Sequence, residues 1–132
     1  MKTKKNTPKD FYQNLGKLFY AIAAADGKVE EVEFRELKKL AKNQWQQVDC
    51  IDESEEEFHE TELIFEYLNT KDYNAEKCFS DFVEFKNENP ILFTQDVKKL
   101  ILKTASAIAN SFSSLNKSEL IMLAKLDIEF KK

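Results

Sequence analysis

The sequence predicts an all-α domain of six to seven helices, and three observations carry that prediction. Gly and Pro number only 2 each, too few for the tight turns of a strand-rich fold. Apolar residues recur at three- and four-residue spacing along most of the chain, the period of a helix with one buried face. A segment near the N-terminus also returns near the C-terminus with its apolar register intact. Two pseudo-symmetric helix-turn-helix units are therefore expected to share one core.

A chain of 132 residues with 42% hydrophobic content, including 11 Phe and 4 Tyr, has material for one packed interior. Residues 1–7 read as a flexible Lys-rich arm and residues 8–132 as the domain. Thr7 before Pro8, with Asp10 following, supplies an N-cap, a first-turn proline and an acid at the positive end of the helix dipole. The first helix then buries Phe11, Leu15, Leu18, Phe19 and Ile22 and runs to the Asp26-Gly27 break. Phe34, Leu37, Leu40, Ala41, Trp45 and Val48 describe a second helix.

The stretch from Asp49 to Glu62 holds eight acidic residues and neither Lys nor Arg. Within it Ser54-Glu55-Glu56-Glu57 matches a capping box, so a third helix starts near Ser54 and buries Phe58, Ile64, Phe65 and Leu68. Tyr73 to Lys86 forms a fourth helix with Ala75, Cys78, Phe79 and Phe82 inward, Cys78 serving as a small core residue. Asn89-Pro90 marks the start of a fifth, lined by Val97, Leu100, Ile101, Thr104 and Ile108. Asn116 and Glu119 box the start of a sixth, with Leu115 and Leu120 as a hydrophobic staple and Leu120, Leu123, Leu126 and Phe130 inward.

Sliding the chain by 86 residues aligns the segment from Asp10 with that from Asp96, with 9 of 31 positions identical. Ala21-Ile22-Ala23 falls on Ala107-Ile108-Ala109, while Glu33, Leu37 and Leu40 fall on Glu119, Leu123 and Leu126. Val29 and Phe34 fall on Leu115 and Leu120, so the staple recurs.

ADGKVEEVEF, beginning at Ala25, entered from an Ala-rich helix and followed by a Leu-spaced one, resembles the TerB-like family, and the resemblance covers nearly the whole chain. It implies a compact helical bacterial domain, linked in some members to tellurite or stress resistance, without enzymatic activity. It further implies that acids at the Asp-Gly turns contact divalent cations. Phe112-Ser113 stands where the second copy would carry Asp-Gly, so a two-turn cation site lacks its second half.

Asp26 to Glu33 also matches the latter half of a calcium loop, with Asp26 at position 5, Gly27 at 6 and Glu33 at 12. Calcium needs six to eight oxygens, and Ile22 and Ala24 occupy the first and third ligand positions. Asp26 and Glu33, with Glu30, form a weak partial metal site at best. A weakly held divalent cation is thus the one cofactor indicated. The alternative for the same residues is structural: a turn at Asp26-Gly27 and an N-terminal helix acid at Glu33.

Glu56 and His59 make one ExxH pair, but a di-iron bundle needs two such pairs and this chain holds 1 His. His59 accordingly reads as a solvated residue at a helix start. No phosphate-cradling GxxxxGK[ST] loop occurs, and the single His argues against a nucleophile-base pair, so no catalytic residue is assigned. A net charge of −4 argues against nucleic acid. Cys50 and Cys78 suit a reducing cytoplasm, and no apolar run approaches the ~20 residues of a membrane span. Two functions remain: a cytoplasmic binding domain for a cation or a stress-response protein, and a metal-independent scaffold that docks a protein partner.

Overall fold

The computed structural model describes residues 8–25, 35–36, 38–39, 55–71, 73–110 and 117–131. Among the described residues, five α-helices and one 3-10 turn have defined bounds: α1 (Pro8–Ala23), α2 (Glu55–Lys71), α3 (Ala75–Glu88), η1 (Pro90–Leu92), α4 (Gln95–Asn110) and α5 (Lys117–Lys131). No strand occurs among the described residues. The predicted arm 1–7 and most of the predicted second helix lie outside them, though positions 35, 36, 38 and 39 are helical.

Helix α1 is the axle of the bundle. It packs on α2, α3, α4 and α5, so nearly every side of it is enclosed. Phe11, Leu15, Leu18, Phe19 and Ile22 are buried as expected, and Tyr12, Tyr20 and Ala21 are buried as well. Burial of that many large side chains is the main favourable term in folding. Only a narrow polar edge remains, where Gln13 bonds Glu60 at 3.2 Å and Lys17 pairs with Asp81 at 3.5 Å.

The α1–α2 crossing is unusually close because Gly16 presents no side chain. A Cβ built there would lie 2.8 Å from the Thr61 carbonyl oxygen and 2.9 Å from Ile64 Cβ. At the same crossing the buried Thr61 hydroxyl donates to the Tyr12 carbonyl at 2.6 Å, which satisfies a polar group that would otherwise be costly to bury. The C-terminal turn of α2 closes with the Tyr73 amide on the Leu68 carbonyl, and the Tyr20 hydroxyl donates to the Tyr73 carbonyl at 2.7 Å.

The fourth predicted helix is α3, capped by Asn74, whose side chain accepts from the Lys77 amide at 2.9 Å. The expected start of the fifth helix at Asn89-Pro90 is corrected. Pro90 opens only the η1 turn, and α4 begins at Gln95 with the Thr94 hydroxyl accepting from the Val97 amide at 3.2 Å. Proline suits the first turn of either helix type, because that turn needs no intrahelical donor. The turn delivers Phe93 into the core, where it meets Phe11, Phe82, Phe85 and Phe130 at centroid distances of 5.6, 5.8, 6.2 and 6.3 Å.

Each residue that α4 buries, namely Val97, Ile101, Thr104, Ala105, Ile108 and Ala109, falls on a buried residue of α1 at the 86-residue offset. The two helices also touch. On α5 the expected inward set is corrected in part. Leu126 and Phe130 are buried, but Leu120 is 54% exposed and Leu123 only half-buried, while Met122 and Glu119 point inward. The C-terminus of α5 is held by two lysines: Lys86 Nζ donates to the Glu129 carbonyl at 3.1 Å and Lys98 Nζ to the Phe130 carbonyl at 3.0 Å. Both supply donors to carbonyls that a helix end leaves unpaired, at the negative pole of its dipole.

Candidate functional site

Asp26 and Glu33, with Glu30, lie outside the described residues. The chain is followed as far as Ala25, which borders a shallow depression of about 150 Å³ shared with Glu76, Ser118, Ile121, Met122 and Lys125. Of the side chains there, Glu76 offers a carboxylate, and Lys125 Nζ already stands 3.4 Å from it. An ammonium so placed competes with any cation for the same oxygens. Among the described residues no group of three or more His, Cys, Asp or Glu side chains is arranged to hold a metal. His59 and Glu56 fall on α2, but their side chains lie outside what is described, as does Cys50.

Cys78 is only 1% exposed, in keeping with its expected core role. Burial pushes its thiol above the ordinary value and nearby Asp81 adds to that, while Lys17 and Lys77 oppose. The neutral thiol is the form the fold favours. Its contribution to stability is therefore whole below the unfolded thiol's 9.0 and is lost as pH rises from there through the raised folded value. Urea unfolding at stepped alkaline pH, in a Cys50→Ser background, is expected to show a steeper loss of stability for the chain with Cys78 than for Cys78→Ala.

The surface feature with most chemical content is the outer side of α5. Glu119, Met122, Leu126 and Phe130 occupy the inner side of this helix. On the outer side Lys117, Ile121, Ala124, Ile128 and Lys131 follow one another at 4-3-4-3 spacing, all exposed, which places them on one stripe. Leu120 flanks it. Leu120, Ile121 and Ile128 are 54%, 52% and 57% exposed. Thus α5 is apolar on both sides, with lysines at the two ends of its outer stripe. Lys131 also pairs with Asp127 at 3.1 Å.

The internal repeat isolates what is unusual here. At the 86-residue offset, Ile121, Ala124 and Ile128 correspond to Arg35, Lys38 and Lys42, and Arg35 and Lys38 are exposed. The first copy of the repeated pattern carries cations where the second carries aliphatic side chains. The sequence reading missed this face by placing Leu120 in the core. The run Leu120-Ile121-Met122-Leu123 was the available signal, since four consecutive apolar residues must cover more than one side of a helix.

No helix among the described residues is long and apolar enough to cross a membrane. No family model, curated protein or solved structure significantly matches the chain.

Proposed function

We propose that this chain is a cytoplasmic, non-enzymatic, TerB-like helical module that docks a protein partner without metal, and that its working surface is the outer face of α5. The observation that carries this reading is the contrast between Ile121, Ala124 and Ile128 and their repeat counterparts Arg35, Lys38 and Lys42. The first copy of the repeated sequence carries cations at these positions, so the aliphatic residues in the second answer to something besides the shared pattern. Exposed apolar groups clustered on one face are a feature of binding surfaces. The architecture taken with this reading is a bundle of six to seven helices in which two pseudo-symmetric helix-turn-helix units pair their apolar faces. Its support is the buried register of α1 repeating in α4.

Transferring the first copy's residues to the second tests it. Ile121→Arg with Ile128→Lys is expected to move the melting temperature by no more than about 3 °C, as surface substitutions do. A fall of ten degrees or more would mean that the chain itself covers this face, and the reading would be abandoned. The same assay in millimolar calcium, magnesium or manganese is expected to show no shift. A rise in the unsubstituted chain that Asp26→Asn removes would return the function to cation binding.

A further inference from the structure

Resting on the docking reading above, we infer that the partner is an amphipathic helix with an apolar centre and acidic ends, laid along Lys117–Lys131 of α5. The stripe has the geometry of a short coiled-coil seam, with Ile121, Ala124 and Ile128 at alternating three- and four-residue steps and the small Ala124 at its middle. A facing helix can approach closest at that alanine, while its own apolar side chains fill the spaces beside Ile121 and Ile128.

The lysines decide what kind of helix fits. In an antiparallel pair of two copies of this chain centred on Ala124, Lys117 of one copy would meet Lys131 of the other at both ends. A parallel pair would set Lys117 on Lys117 and Lys131 on Lys131. Either arrangement brings like charges together, which disfavours self-association. Glutamates at both ends of a facing helix would instead meet a lysine at each end. Asp127 pairs with Lys131 at 3.1 Å and offsets part of the charge at that end, so the preference is set chiefly at the Lys117 end.

The test uses the full chain and two synthetic helices of about five turns with the same leucine-isoleucine centre, one with Glu at both ends and one with Lys. Amide chemical shifts and fluorescence anisotropy are followed together. The acidic peptide is expected to bind about tenfold more tightly than the basic one, to shift the amides of 117–131, and to weaken as salt rises. Lys117→Glu with Lys131→Glu is expected to invert the preference while leaving the melting temperature near that of the parent. Equal binding of the two peptides, shifts confined elsewhere, or no binding of the acidic peptide overturns the inference. Should sedimentation show a dimer that Ile121→Arg dissociates, the acidic partner is overturned in favour of a second copy, and the docking face itself stands. Collapse of the folded state on Ile121→Arg with Ile128→Lys would instead remove the docking reading, so the two failures are distinguishable.

Discussion

Gly16→Ala is expected to destabilise the chain, the reverse of what this substitution does in an ordinary helix. Within an exposed helix interior, replacing Gly by Ala gains up to about 1 kcal/mol from backbone propensity. Here the added methyl would stand 2.8 Å from the Thr61 carbonyl oxygen and 2.9 Å from Ile64 Cβ. The first of these is backbone, so relief requires α2 to move as a body. That movement pulls on the hydrogen bond from the Thr61 hydroxyl to the Tyr12 carbonyl, 2.6 Å long and fully buried. Overpacking of this kind costs about 1–3 kcal/mol, and a buried hydroxyl stripped of its partner costs about 1–3 kcal/mol more. The sum outweighs the propensity gain. Gly16→Leu, with three further carbons at the same crossing, is expected to lose more than about 4 kcal/mol, a large share of a typical domain's stability. Thermal melts of both variants check this, and the sign for alanine is decisive: a higher melting temperature would mean that α1 and α2 do not cross so closely.

Nothing in the sequence around Gly16 announces that crossing. Its contacts Thr61 and Ile64 are more than forty positions away, and local periodicity cannot report which distant element lies against a residue. The repeat offers a partial hint, because Leu102 occupies the equivalent place in α4 and is only half-buried. Glycine in one copy and leucine in the other means that one of the two helices has a close neighbour there.

Legibility elsewhere followed the same division between local and non-local causes. The inward faces of α1 and α4 were readable because each helix has one continuous apolar stripe ending in small residues. The start of α3 was readable to within a few residues, at Ala75 against the expected Tyr73. The start of α4 was misplaced because two signals compete, Pro90 and Thr94, and only the position of Phe93 between them, turned into the core, selects the second. On α5 two apolar stripes share one helix. Periodicity cannot choose between Leu120 and Met122, and the choice falls to the position of the rest of the bundle. The candidate site was hidden for that reason, although comparing Ile121 and Ile128 with Arg35 and Lys42 would have exposed it.

Phe93→Ala is the second large effect, and it bears on how the far end of α5 is held. Phe93 sits at the end of η1, 5% exposed, and its ring meets Phe11 of α1, Phe82 and Phe85 of α3, and Phe130 of α5. Truncating it leaves a cavity that no single element can close, so a loss of about 3–5 kcal/mol is expected. At about 3–5 °C per kcal/mol for a chain of this size, the melting temperature falls by roughly 10–20 °C. Phe93→Leu, which restores most of the volume, should recover the greater part of that loss. Because Phe130 also carries Lys98 Nζ at 5.9 Å from its ring, loosening the cluster should release the last turn of α5 before the rest. Hydrogen exchange in Phe93→Ala is therefore expected to rise first at the C-terminal amides of α5. A double-mutant cycle between Phe93 and Phe130 should return a coupling of about 0.5–1.5 kcal/mol. Strict additivity would show the two rings to be independent, and the C-terminus of α5 would then be held by its other contacts, Lys86 and Lys98 among them.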